Sequence, residues 1–192
     1  MEIYLVRHSP VNNPQKLCYG QSDIELADDW EAHFASLQKS LAPHLSAALF
    51  YSSPYQRCTQ LAGFLSGNHF QTDSRLSEMH FGDWEQCAWT AIDQQVLNAW
   101  MANFVDYQVP GGESFETMHK RCIQFWDELL NNISGDKFII VTHAGVIRSL
   151  LAHVLQIPLK NIFQIEVDFC SITKITVAKQ HGCYQTVNYI NR

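Results

Sequence analysis

Residues 2–8 read Glu-Ile-Tyr-Leu-Val-Arg-His, an apolar run that ends in an arginine–histidine pair. The run Ile3–Val6 predicts a rigid strand, and groups at the carboxyl end of such a strand open into the crevice where α/β sheets bind ligands. A histidine there is a candidate nucleophile, and a guanidinium beside it can hold a phosphate in a bidentate fork. Because Arg-His dipeptides are common, the pair gains meaning only from the rest of the chain.

Strand-like runs alternate with amphipathic, helix-like segments along the chain. Strands are predicted over Glu2–Val6, Ala48–Tyr51, Phe138–Thr142, Ile162–Val167, Ser171–Ala178 and Gln185–Ile190. Helices are predicted over Asp28–Leu41, Pro54–Leu65 (with Ser53 as its N-cap), Ser114–Asn132 and Ala144–Leu155. This alternation predicts an α/β fold, a three-layer α/β/α sandwich with a mostly parallel sheet and helices on both faces. The last two strands are close in sequence and predict an antiparallel edge, and the absence of a linker or repeat predicts one domain over residues 1–192.

The composition limits the classes of function. The chain is 46% hydrophobic and 17% charged, which is typical of a globular protein, and its net charge of −6 argues against a nucleic-acid-binding surface. An anionic substrate stays open, because a few converging arginines dominate the local field. We expect no signal peptide and no membrane span, and a cytoplasmic protein that is either a monomer or a homodimer. The six cysteines and nine histidines show no metal-ligand spacing, so we expect neither a metal ion nor a cofactor.

Three later segments carry further candidate groups. They are Ser52-Ser53-Pro54-Tyr55-Gln56-Arg57, Leu76-Ser77-Glu78-Met79-His80-Phe81-Gly82-Asp83-Trp84-Glu85 and Thr142-His143-Ala144-Gly145-Val146-Ile147-Arg148. Most of these groups fall at strand-to-helix junctions, which converge at one edge of a doubly wound sheet. Two imidazoles, two guanidiniums and a carboxyl group suit phosphoryl transfer, since together they supply a nucleophile, cations for the phosphoryl oxygens and a proton donor.

In this order and combination the motifs resemble those of the histidine phosphatase superfamily, the group that includes phosphoglycerate mutase-like enzymes. The resemblance covers essentially the whole chain. It implies that His8 is a transiently phosphorylated nucleophile and that Arg7, Arg57 and His143 form the phosphate pocket. It also implies that Glu78 donates a proton to the leaving group and then acts as the base for water. Ala144 is included among the substrate-binding residues.

The chain departs from the commonest family pattern in its first loop. Ser9-Pro10-Val11 follows the arginine–histidine pair in place of Gly-Glu-Thr, position 14 is proline rather than asparagine, and Ala144 replaces a more usual glycine. The segment from Leu17 to Leu26 is similar to the corresponding loop of alpha-ribazole phosphatases, which act late in cobalamin assembly. Gln21 and Ser22 in this loop are therefore candidate substrate contacts, and turn-forming hydrogen bonds explain them equally well.

Charge and aromatic content bear on the substrate. No lysine or arginine occurs between Arg75 and Lys120, whereas a mutase needs extra cations for a second anionic group. The same segment contains aromatic residues that could wall a nucleoside-like leaving group. Trp89 and Tyr107 are the wall candidates, while the spacing of Trp100 and Phe104 is typical of a helix core.

The leading hypothesis is a metal-independent phosphomonoesterase that removes the 5'-phosphate of alpha-ribazole phosphate. A broad-specificity sugar-phosphate or nucleotide phosphatase would use the same chemistry on another small phosphate monoester, and a phosphoglycerate mutase-like enzyme is a further alternative. A noncatalytic phosphate-binding protein and a metallohydrolase are hypotheses from other classes. Intact candidate catalytic residues argue against the first of these, and the absence of metal-ligand spacing argues against the second.

Overall fold

A six-stranded mixed sheet forms the centre of the computed structural model, which describes residues 1–178 and 184–192; His181 and Cys183 lie outside the described residues. The strands are β1 (Glu2–Arg7), β2 (Leu49–Ser52), β3 (Gln71–Thr72), β4 (Lys137–Thr142), β5 (Ile172–Ala178) and β6 (Tyr184–Tyr189). Their order across the sheet is β3-β2-β4-β1-β5-β6. The first four are parallel, β5 is antiparallel to β1, and β6 is antiparallel to β5. The predicted parallel sheet with an antiparallel edge is confirmed.

The described residues contain five α-helices. They are α1 (Trp30–Leu45), α2 (Gln56–Ser66), α3 (Gln94–Ala102), α4 (Phe115–Asn132) and α5 (Ala144–Leu155). In β1 the side chains of Ile3 and Leu5 belong to the core beneath α4 and α5, whereas Tyr4 and Val6 belong to the core beneath α1 and α2. The strand is apolar throughout because both of its faces are buried. This layering confirms the α/β/α sandwich.

The helix boundaries follow local chemistry. Helix α5 has the predicted bounds, and α4 begins after Ser114, whose hydroxyl oxygen accepts a hydrogen bond from the backbone N–H of Thr117 at 3.2 Å. Helix α2 begins at Gln56 rather than at Pro54, and Ser53 is not its N-cap. The Ser53 hydroxyl lies instead against His143 and is therefore part of the candidate site.

Three elements differ from the prediction. Residues Leu159–Gln164 form a 3-10 helix where the strand over Ile162–Val167 was expected, because a short apolar run does not distinguish a buried strand from a buried turn. The two-residue strand β3 was not predicted and is too short to leave a pattern. Helix α3 was also missed, although Asp93 caps it by accepting from the backbone N–H groups of Gln95 and Val96.

The parallel strands place their carboxyl ends at one edge of the sheet, where His8 follows β1, Ser53 follows β2 and His143 follows β4. No helix in the described part of the chain is long and apolar enough to cross a membrane. Within the same residues, no cluster of three or more histidine, cysteine, aspartate or glutamate side chains is arranged to hold a metal ion.

Candidate active site

His8 lies at the carboxyl end of β1 with only 3% of its surface exposed. Its Nδ1 is 2.7 Å from the carbonyl oxygen of Ser9. Because a carbonyl can only accept, the proton of the neutral ring is on Nδ1, and Nε2 keeps its lone pair. Burial, followed by the nearby guanidiniums of Arg57 and Arg7, lowers the pKa of His8 well below its usual value. The ring is therefore neutral near pH 7, which is the state that a nucleophile needs.

His143, between β4 and α5, is fully buried beside His8, and the two ring centroids are 5.2 Å apart. Its Nδ1 accepts a long hydrogen bond from Nε of Arg57 (3.4 Å), so Nε2 carries the proton and donates to the Ser53 hydroxyl at 2.7 Å. Burial, together with the charge of Arg57, lowers the pKa of His143 well below its ordinary value. The second histidine is thus a fixed, neutral group beside the first.

Arg57 is fully buried in the first turn of α2. It donates from Nη1 to the carbonyl oxygen of Ser22 at 2.8 Å and from Nη2 to that of Gly20 at 2.5 Å. With Nε directed at His143, three of its five N–H groups are used by the protein, which leaves two for an anion.

Arg7 ends β1 and lies flat against Phe169, with its guanidinium carbon 3.6 Å from the ring centroid. Its Nη1 donates to the carbonyl oxygen of Val167 at 2.6 Å, and its Nε is buried without a hydrogen-bond partner among the described residues. Burial lowers the pKa of Arg7. It costs free energy to bury part of a guanidinium while its Nε has no partner, and an anion in the adjacent cavity would offset that cost.

Glu78 reaches the amino terminus of α5. Its Oε2 accepts from the backbone N–H of Gly145 at 3.1 Å, and its Oε1 accepts from that of Met79 at 3.0 Å. A Cβ atom at position 145 would overlap the Glu78 carboxylate, so any larger residue there would displace this carboxylate from its present position. Arg121 fixes the backbone of the same segment by donating to the carbonyl oxygens of Ser77 and Glu78.

A half-open cavity of about 340 Å³ lies over these groups. We use the term floor for Arg7, His8, Arg57, Glu78 and His143, of which all but Arg57 line the cavity directly; Arg57 contacts His143. Ala144 also lines the cavity. We use the term wall for a second set of lining residues, which consists of Phe81, Trp89, Trp100, Phe115, Arg148 and Phe163.

The wall is built from edge-on and tilted contacts between aromatic rings. Trp100 packs against Phe81, Trp84 and Trp89 with centroid distances of 6.2, 5.8 and 6.1 Å. Trp89 lines the cavity as expected, whereas Tyr107 is not among the lining residues. The expectation of a helix core for Trp100 and Phe104 holds in part: both pack against the hydrophobic core, but Trp100 also lines the cavity, and Phe104 lies beyond the end of α3, packed on Phe115 and Phe163.

Arg148 is the residue whose contribution sequence reasoning missed. It lies on α5, donates from Nε to the carbonyl oxygen of Ile165 at 2.8 Å, and has its guanidinium carbon 5.3 Å from the Phe163 ring centroid. No carboxylate in residues 1–178 or 184–192 forms an ion pair with it. Its position in the motif around His143, five residues after that histidine, was the available signal. It lies outside the segment between Arg75 and Lys120, where a second set of cations would be expected.

Gln21 and Ser22 do not line the cavity. The Gln21 side chain donates to the carbonyl oxygen of Glu78 at 3.1 Å, and the Ser22 hydroxyl donates to Glu85 at 2.5 Å. The structure therefore brings five of the predicted site residues together at the cavity: Arg7, His8, Glu78, His143 and Ala144. Arg57 contacts His143. Gln21 and Ser22 lie in the loop that supports Arg57.

Comparison with known proteins agrees with this geometry. The profile of the histidine phosphatase superfamily (branch 1) matches residues 3–190. The metal-independent phosphoserine phosphatase of Arabidopsis thaliana is 26% identical over 164 residues, which cover 81% of this chain and 69% of that protein. Phosphoglycerate mutase-like protein 4 of Arabidopsis thaliana is 28% identical over 158 residues, or 78% and 69% of the two chains. The crystal structure of the alpha-ribazole phosphatase from Shigella flexneri has the same fold, with a TM-score of 0.87, 23% identity, and coverage of 100% of this chain and 96% of that one.

Proposed function

Because this chain belongs to the histidine phosphatase superfamily and is a phosphoric monoester hydrolase, we propose that it cleaves small phosphate monoesters through a phosphorylated His8, without a metal ion. The observation that carries the proposal is the bond from His8 Nδ1 to the Ser9 carbonyl, since it leaves a lone pair on Nε2 of a ring that burial keeps neutral. We also propose that residues 1–192 act as one domain, because all the site residues are attached to one sheet.

The reaction proceeds in two steps. In the first, Nε2 of His8 attacks phosphorus, the bond from phosphorus to the alcohol oxygen breaks, and protonated Glu78 gives its proton to that oxygen. Arg7 and Arg57 hold the phosphoryl oxygens with their remaining N–H groups, and His143 lies beside them. In the second step, Glu78 takes a proton from water, the water oxygen attacks phosphorus, and the Nε2–phosphorus bond breaks to restore neutral His8 and release phosphate.

The wall supports an alcohol that carries a flat, aromatic group. Trp89, Trp100 and Phe81 offer apolar faces and edges to the cavity. This fits alpha-ribazole 5'-phosphate, which we place first among substrates, in agreement with the similar loop over residues 17–26 and the name of the structural neighbour from Shigella flexneri. In this proposal Gln21 and Ser22 act on the substrate through Arg57 and Glu78 rather than by direct contact.

Arg148 favours a second candidate, an ester whose alcohol carries a carboxylate, such as phosphoserine. Its Nη1 and Nη2 have no protein acceptor in the described structure, and it lines the cavity. A carboxylate is the anion that a guanidinium binds bidentately. The relatives named as phosphoserine phosphatases agree with this candidate.

A comparison of kcat/KM tests the proposal, with alpha-ribazole 5'-phosphate, phosphoserine, 3-phosphoglycerate, common nucleotides and p-nitrophenyl phosphate as substrates and a chelator present throughout. A preference of about 100-fold for the ribazole ester, about 2.7 kcal/mol, would support the first candidate. An equal preference for phosphoserine would support the second, and a flat profile would indicate a broad-specificity phosphatase. Absence of turnover on every ester, or its loss to the chelator, would contradict the proposed chemistry.

A further inference from the structure

One carboxylate outside the cavity joins two loops of the site. Glu85, at the end of the segment that contains Glu78, accepts five hydrogen bonds. Its donors are the backbone N–H groups of Gly20 (3.1 Å), Gln21 (2.8 Å), Ser22 (2.8 Å) and Phe81 (3.1 Å) and the hydroxyl of Ser22 (2.5 Å). Three successive N–H groups of residues 20–22 thus turn toward one anion, which fixes the backbone of this loop and, through it, the carbonyl groups of Gly20 and Ser22.

Those carbonyl groups hold Arg57. The oxygens of Gly20 and Ser22 accept Nη2 and Nη1 of its guanidinium, and the Nε of the same group faces His143. A buried arginine has a long, flexible stem, so its planar head is aimed by its acceptors rather than by its backbone. The acceptors here are directed by Glu85. A continuous set of hydrogen bonds therefore runs from Glu85 through residues 20–22 to Arg57 and His143.

We propose that Glu85 is the positioning residue of the phosphate pocket: by folding residues 20–22 around its carboxylate, it directs the Arg57 guanidinium at the transferring phosphoryl group. This inference rests on the proposed function, since it assigns Arg57 to the phosphate. It also gives Glu85 a different role from Glu78, which lies in the same segment. Glu78 lines the cavity and acts on the leaving group, whereas Glu85 contacts neither.

The charge state of Glu85 agrees with this role. Burial would raise the pKa of its carboxyl group, but the hydrogen bonds from Gln21, Ser22, Gly20 and Phe81 outweigh burial and lower that pKa. Glu85 is therefore ionised at neutral pH and accepts hydrogen bonds only. Both carboxylate oxygens of Glu85 accept hydrogen bonds, so a glutamine at this position must direct its NH₂ group at donors in place of one of them. Glu85→Gln therefore breaks hydrogen bonds to the loop without changing the volume of the side chain.

The first test compares Glu85→Gln with Asp83→Asn, a matched control that removes an exposed carboxylate two residues away. We expect kcat/KM on p-nitrophenyl phosphate to fall about 10- to 100-fold in Glu85→Gln, since a small misplacement of a catalytic group has effects of this size. The inhibition constant of inorganic phosphate should rise by about 10-fold. Asp83→Asn should change both by less than about 2-fold, because surface substitutions have small effects. Equal values for the two variants would overturn the proposal.

A double-mutant cycle distinguishes positioning from general destabilisation. In an Arg57→Met background, Glu85→Gln should lower kcat/KM by less than about 3-fold, because the group that it positions is already absent. Full multiplication of the two losses would show that Glu85 does not act through Arg57 and would contradict the inference. If a thermal melt shows that Glu85→Gln is not folded, Ser22→Ala replaces it in the same cycle. This variant removes one of the five bonds, and we expect it to reduce activity by about 3-fold in the wild type and not in Arg57→Met.

The two proposals fail differently in these assays. If the wild-type chain hydrolyses no phosphate ester, the proposed function is wrong and the cycle has no baseline. If the wild type is active and the losses at positions 57 and 85 multiply, the phosphatase chemistry holds and only the role of Glu85 is wrong.

Discussion

The floor and the wall of the cavity are built by different forces. On the floor, directional hydrogen bonds fix each group: His8 to the Ser9 carbonyl, Glu78 to the N–H of Gly145, and Arg57 to two loop carbonyls. On the wall, aromatic rings meet edge to face, and Trp100 has a buried indole N–H without a partner among the described residues. From this comparison we infer that the floor carries the chemistry, while the wall contacts the alcohol and so selects it.

Substitutions on the two sides should therefore have different signatures. A change in the nucleophile or the phosphate groups should reduce turnover of every ester by a similar factor. A change on the wall should reduce the turnover of some esters and leave that of others unchanged, since it alters only contacts with the leaving group.

The largest effect is expected for His8→Ala. The variant lacks the nucleophile, so kcat should fall by at least about 10³-fold on every ester, with the thermal transition nearly unchanged. Steady-state turnover of p-nitrophenyl phosphate and a thermal melt would check this. Residual activity above a few per cent would show that His8 is not the nucleophile.

Glu78→Gln should give the next largest effect, and one that depends on the leaving group. Esters of weakly acidic alcohols need a proton donor, so their kcat should fall about 10²- to 10³-fold. For p-nitrophenyl phosphate, whose leaving group departs without a proton, the first step should be nearly unaffected. Single-turnover measurements on both kinds of ester would show the difference, and an equal loss on both would indicate that another residue is the acid.

Arg148→Met tests the wall. Methionine keeps an unbranched, apolar stem and removes the guanidinium group with its charge. If Arg148 binds the alcohol, kcat/KM on phosphoserine should fall about 10- to 100-fold, whereas p-nitrophenyl phosphate should change by less than about 3-fold. A similar loss on both esters would place Arg148 on the phosphate, and no loss on either would remove it from the substrate altogether.

The smallest effect expected is a shift in the acid limb of the pH profile. Protonation of His8 destroys the nucleophile, and its pKa lies well below the usual value because of burial and the guanidiniums of Arg57 and Arg7. The enzyme should therefore keep its nucleophile in the active form as the pH falls through about 6.5, the ordinary histidine value. Measurement of kcat/KM against pH, corrected for ionisation of the ester, checks this, and an enzyme limb with a midpoint at or above that value would contradict it.

The sequence predicts the floor better than the wall for a physical reason. His8 and His143 each follow a strand that is predicted from its unbroken apolar run, and parallel strands bring their carboxyl ends together. The wall instead comes from 3-10 turns, which leave no periodic pattern, and from α3, whose nine residues are fewer than a reliable helical pattern needs. Arg148 was overlooked because it reaches the cavity from α5 rather than from the segment between Arg75 and Lys120. The roles of Glu85 and Ser53 depend on contacts across the fold that no local pattern contains.

The most direct test of the central claim is to trap the phosphorylated enzyme. The chain would be mixed with an excess of p-nitrophenyl phosphate, quenched within milliseconds in alkali or denaturant to preserve phosphohistidine, digested, and analysed by mass spectrometry. We predict one added phosphoryl group on the peptide that contains His8, and none in the His8→Ala variant. Phosphorylation on another residue, or rapid hydrolysis with no phosphorylated peptide at any quench time, would contradict the account.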